Sequence, residues 1–209
     1  MNDLSVPHYS VAEEVCNSVS HLVGGILTIY GTYLLTLNSQ KPSYVVAALV
    51  YGVAIFSMFL TSSLYHAVRD QEVKSAVRKV DHAMIYFAIA GTYVPVLAVI
   101  ASPHECVIWN SGLGLCAVVG AVSSFITLKH KYVTTIVYLI MGWASLLLLR
   151  NLWRAAEPVT TYLLVGGGVA YSVGAALYLI KKPFMHVVFH LFVLLGVLFQ
   201  YLAIRTLYI

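Results

Sequence analysis

A chain of 209 residues, 60% of them hydrophobic and only 10% charged, cannot clothe itself in water, because a soluble domain of that length carries roughly 25% charged residues. A lipid-facing surface removes the deficit. The net charge of +4 comes from basic residues spread over short loops, not gathered on one face, which argues against a nucleic-acid partner.

The first twenty residues hold Asp3, Glu13 and Glu14 and no Lys or Arg. A cleaved secretory signal starts basic and turns apolar at once, so the apolar run from Leu22 is expected to persist as a span, behind a cytoplasmic N-terminal segment at 1–18. A helix of about 20 mainly apolar residues crosses the hydrocarbon core. The pattern predicts seven, at 19–37, 44–65, 80–100, 107–128, 132–149, 160–180 and 185–207. The runs are continuous, whereas the strands of a membrane barrel alternate over about 10 residues. The connections are short, so the expected fold is one all-α, seven-helix transmembrane domain over 1–209. Pro95 is expected to bend the third span. Gly166, Gly167, Gly168 and Gly174 permit close helix approach in the sixth. Tyr44, Trp109, Tyr132, Trp153 and Tyr162 fall near span ends, where aromatic rings anchor to the interface. Cys16, Cys106 and Cys116 are odd in number and lack metal-type spacing, which fits small buried hydrophobes.

Basic residues set the orientation. With the N-terminus inside, the inner connections hold Arg69, Lys74, Arg78, Lys79, Lys129, Lys131, Lys181 and Lys182, and the outer ones Lys41, Arg150, Arg154 and Arg205. The excess on the inner side predicts an inside N-terminus and an outside C-terminus; Arg150 and Arg154 run against it.

Ionisable residues within a span are expensive and mark function by default. His21, His66, Asp81, His82, His186 and His190 sit in or at the edge of spans, and the predicted topology puts all of them at the inner end. His186 and His190, four residues apart, share a helix face. That spacing suits two nitrogen ligands to one metal, and equally two histidines hydrogen-bonded separately. At 1.5 Å per residue they lie roughly 6 and 12 Å beyond Lys182. His66, with Ser62 one turn earlier, would supply the third ligand that a catalytic zinc needs. Asp81 reads either as a carboxylate at a helix start, favoured by the dipole, or as a base beside the metal. His82 points about 100° away from Asp81 and is not expected to bind the same ion. Glu14, Asn17 and His21 form a polar stripe, expected to pack against the inner loops more than to line a lipid-headgroup entrance.

The segments E-E-V-C-N-S-V-S-H, S-S-L-Y-H, K-V-D-H-A-M-I-Y-F-A-I-A-G-T-Y-V-P, Y-L-I-M-G-W and H-V-V-F-H together resemble the bacterial hemolysin III proteins. These stand with the progestin and adipoQ receptors, the adiponectin receptors among them. The resemblance runs from about Glu13 to the end of the chain. It implies seven helices, an inside N-terminus and residence in the bacterial plasma membrane. It implies Zn2+ held by His66, His186 and His190, with Asp81 on the zinc-bound water and Ser62 beside the site. The wider superfamily includes the alkaline ceramidases, intramembrane amide hydrolases.

Two functions from different classes follow. One is a zinc-dependent hydrolase of lipid amides at the cytoplasmic leaflet, with a membrane lipid as substrate and Asp81 and Ser62 as its catalytic residues. The other is a sensor or regulator of membrane state, with a lipid as ligand and a structural zinc. A cytolysin is a weaker third reading, since no export signal is evident. The sequence specifies no oligomeric state.

Overall fold

A computed structural model describes residues 6–208. Asp3, part of the expected N-terminal segment, lies outside them. Among the described residues the chain is all helix and turn, with seven helices long and apolar enough to cross a membrane.

Helix α1 runs Val11–Leu37, eight residues longer at its start than the hydropathy predicts. Polar chemistry sets that start. The Ser10 hydroxyl accepts from the Glu13 amide, and the Glu13 carboxylate accepts from the Ser10 amide at 2.9 Å, a capping box that satisfies two orphan donors. Helix α2 spans Pro42–Ala67, with proline in its first turn where the missing N–H costs nothing.

Helix α3 spans Gln71–Ile100 and is capped by Asp70, whose carboxylate accepts from the Glu72 and Val73 amides. The third span was expected from 80, with 66–79 as a break. About two and a half turns of polar and charged helix, residues 71–79, precede its apolar part instead. This corrects one reading of Asp81: ten residues, about 15 Å at the helical rise, separate it from the helix start, too far for the dipole to account for it.

Helix α4 spans Pro103–Ile126 and packs chiefly on α3. The fifth span, Lys131–Ala155, is interrupted. Helix α5 (Lys131–Trp143) passes through a 3-10 stretch (Ala144–Leu148) into α6 (Leu149–Ala155). The Tyr93 hydroxyl lies 2.6 Å from the Met141 carbonyl and 2.8 Å from that of Gly142. A side chain that takes carbonyls out of the i→i−4 ladder breaks an α-helix in this way. Helices α7 (Pro158–Tyr178) and α8 (Met185–Tyr208) complete the bundle.

Helices α1, α2 and α3 pack in chain order, α7 packs on α8, and α8 returns to α1. The broken fifth span touches α3 and α7 only lightly. Close approaches use glycine: a Cβ on Gly196 of α8 would collide with the Tyr171 ring of α7, and one on Gly120 of α4 with the Tyr86 ring of α3. Tyr51, Ile55, Phe59, Leu97 and Ile204 fill the core, while Ile26, Leu27, Val53 and Leu115 are among the apolar residues on the outside. Cys16 and Cys116 are exposed and Cys106 half-buried, so they are not the buried hydrophobes expected. On helices that face lipid, a thiol is tolerated outside as readily as inside.

Candidate metal centre

Three pieces of the chain meet at one end of the bundle. His66 lies in the last turn of α2, and His186 and His190 in the first two turns of α8. One nitrogen from each falls within 4.8 Å of the others. The Nε2 atoms of His186 and His190 are 3.2 Å apart. A tetrahedral zinc with Zn–N of about 2.05 Å separates its nitrogen ligands by about 3.3 Å. The Nε2 atom of His66 is buried with no hydrogen-bond partner. A buried polar atom left without a partner costs about 1–3 kcal/mol, and a metal shared with its two neighbours would relieve that cost. The residues present therefore fit a zinc ion.

The other ring nitrogens fix the tautomers. His66 Nδ1 lies 2.6 Å from a Glu14 carboxylate oxygen, and Lys74 Nζ lies 2.7 Å from the other. The carboxylate accepts, so the His66 proton sits on Nδ1 and the Nε2 lone pair is free for a metal. His190 Nδ1 lies 3.3 Å from the Asn17 carbonyl, with the same consequence. Partners of this kind orient metal-binding histidines and raise their basicity. Lys74 also donates to the Val68 carbonyl at 3.1 Å, which ties Glu14 to the turn between α2 and α3. Tyr9, just before α1, stacks on the His186 ring with centroids 5.0 Å apart and lies 5.8 Å from that of His66. Burial pushes the Tyr9 phenol up from its ordinary pKa, so it covers the histidines as a neutral ring.

Asp81 and Ser62 stand outside the cluster but line the same cavity of about 220 Å³ as His186 and His190. The cavity continues between α3, the fifth span, α7 and α8 past Ile85, Val96, Leu149 and Val165, a largely apolar bore with Thr92, Thr161 and Gln200 among the polar residues farther along its wall. Ser62 lies one turn before His66 and is buried. His82 bonds back to its own helix, Nδ1 to the Arg78 carbonyl at 3.1 Å, and lies 3.6 Å from Asp81. It is not one of the three clustered nitrogens.

The stripe Glu14, Asn17 and His21 was expected to pack against the inner loops. It runs against the histidines instead: Glu14 bonds His66, the Asn17 carbonyl faces His190, and His21 stacks on His190. Its helical spacing was the available signal; the spacing could not say which neighbour it faced. Nothing in the sequence marked Tyr9.

The profile of the family described as "Haemolysin-III related" matches residues 9–201, a stretch that opens on Tyr9 and includes every residue of this centre. The chain belongs to that family. The haemolysin-III-related chain is 35% identical over 196 residues to "Hemolysin-3" of Bacillus cereus, covering 89% of this chain and 87% of that protein. It is 31% identical over 198 residues to "Hemolysin-3 homolog" of Bacillus subtilis (strain 168), covering 90% and 91%. A "Monocyte to macrophage differentiation factor" of Homo sapiens is 28% identical over 207 residues, covering 92% and 83%. The chain is thus a multi-pass membrane protein of the haemolysin-III-related family.

Glu14 supplies a first test of the centre in this haemolysin-III-related chain. Glu14→Gln keeps the size of the side chain but can no longer dictate the His66 tautomer or neutralise Lys74. Metal affinity, measured by competition with a chelator, is expected to fall about 10–100-fold with the fold retained. An unchanged affinity would show that the His66–Glu14 contact plays no part in holding a metal.

Proposed function

We propose that this protein is a zinc-dependent hydrolase of lipid amides working from the cytoplasmic leaflet. The observation that carries the reading is the buried, unpartnered His66 Nε2 beside the His186–His190 pair, where that pair lines a largely apolar cavity together with Asp81 and Ser62. His66, His186 and His190 would hold the zinc, which supplies Lewis acidity and lowers the pKa of water towards about 7. Asp81 accepts the proton of the attacking water and returns it to the leaving nitrogen as the amide C–N bond breaks, giving a carboxylic acid and an amine. The Ser62 hydroxyl donates a hydrogen bond to the oxygen on which negative charge develops. The apolar bore holds an acyl chain and keeps bulk water from the reacting carbon. The lightly packed fifth span is the route by which a chain enters from the bilayer.

Protein loaded with zinc and given a panel of lipid amides should release fatty acid. Zinc-loaded protein that cleaves none of them would assign the metal a structural role and make the protein a sensor or regulator of the membrane. We place the histidine end of the bundle in the cytoplasm, on the basic residues of the inner connections. Reporter fusions after Val68 should read as inside and fusions after Ala101 as outside; the reverse pattern would move the centre to the outer leaflet.

A further inference from the structure

Asn17 and His21 stand one turn apart on α1, next to the three clustered histidines but outside their set. The His21 ring lies flat on His190, with centroids 3.6 Å and planes 11° apart, and it makes an edge approach to the Phe59 ring at 5.0 Å. Two parallel stacked imidazoles hold their lone pairs in offset planes that do not converge, so His21 is no fourth ligand for the same ion. Both its ring nitrogens are buried without a hydrogen-bond partner among the described residues, and so are both amide atoms of Asn17. Exposure is 4% for His21 and 0% for Asn17. Roughly nine in ten buried polar groups are paired, so the two unpaired His21 nitrogens, on a residue that lines a cavity, point to a ligand. His21 forms part of the wall of the cavity that Asp81 and Ser62 also line, whereas Asn17 lies behind it and does not line the cavity.

The chemistry of the His21 side chain selects the ligand group. A neutral imidazole offers one N–H and one lone pair. The complementary group both donates and accepts. A carboxylate or phosphate only accepts, and the Asp81 carboxylate on the same wall would repel it. We infer that His21, on the cavity wall, is the recognition point for a hydroxyl carried close to the acyl amide of a lipid. The inference rests on the lipid-amide reading above for its ligand class, and it adds the feature by which one lipid amide is told from another.

N-palmitoylethanolamine and N-propylpalmitamide differ by a methyl in place of the hydroxyl. Binding of each to the full-length, zinc-loaded protein in detergent is read from tryptophan fluorescence, since Trp143 lines the same cavity, and cleavage is scored separately. Wild type is expected to bind the hydroxylated lipid about tenfold more tightly. His21→Phe keeps a ring against His190 and loses both nitrogens, so the preference should vanish with zinc content unchanged. His21→Leu serves in its place should that variant not fold, with the same expected loss. Equal binding of the two lipids by wild type, binding of neither, or a preference kept in full by the His21 variant would overturn the inference. Wild type that discriminates but cleaves neither lipid would leave recognition standing and remove the hydrolase. Wild type that cleaves both without discriminating would do the reverse.

Discussion

Replacing His186 and His190 together with Ala should strip the protein of zinc while leaving it folded in the membrane. Wild type purified without chelator should carry close to one zinc per chain. The double variant retains only His66, and a single imidazole cannot hold the ion against a competing chelator. Structural zinc contributes about 10–16 kcal/mol of apparent binding free energy in small peptides, so the loss of two of three ligands is expected to cost many orders of magnitude in affinity. The bundle should survive it, because α8 is held along its length by α7 and α1, well beyond its two histidine turns. Metal analysis after gel filtration decides the matter. Full retention of zinc in a monodisperse double variant would remove the metal assignment and with it the hydrolase.

Asp81→Asn should separate chemistry from metal binding. The change keeps the shape of the side chain and a hydrogen-bonding oxygen but loses the basicity. Asp81 lies outside the group of nitrogens that can share an ion, so the variant should still load zinc. Turnover of a lipid amide should fall about 10²–10⁴-fold, the range of a lost general base, in kcat more than in KM. Zinc lost as completely as from the double histidine variant would make Asp81 a ligand. Unchanged turnover would pass the proton to another group on the cavity wall, such as His82, which lies 3.6 Å from Asp81.

Hydropathy alone located all seven spans, because each exceeds the length that lipid demands and nothing else among the described residues does. It misplaced the starts of α1 and α3. Those ends are set by Ser10 with Glu13 and by Asp70, and helix extends past the apolar run wherever such caps fix it. The misplacement mattered for Asp81, which reads as a residue at a helix start only if α3 begins near 80. The i, i+4 pair His186 and His190 was legible from helical geometry, and His66 from its depth in the bundle. The partners of those histidines were not. The Glu14–His66 contact joins residues 52 apart in sequence, and the Asn17–His190 contact joins residues 173 apart. Pairings of that range depend on how the first helix rotates against the second and the last, which a periodicity does not encode.

The centre draws on both ends of the chain, and this sets an order of assembly. Helices α1, α2 and α3 leave the ribosome first and carry Glu14, His66 and Lys74 among themselves, so the pocket that aims one imidazole can form while most of the chain is still unmade. His186 and His190 arrive only with α8. Since early segments fold and pack while synthesis continues, the unfinished bundle presents one pre-aimed nitrogen and cannot retain an ion on it. Loading of a metal would therefore wait for α8 to close against α1, and a filled site would report that these two helices have met in the membrane.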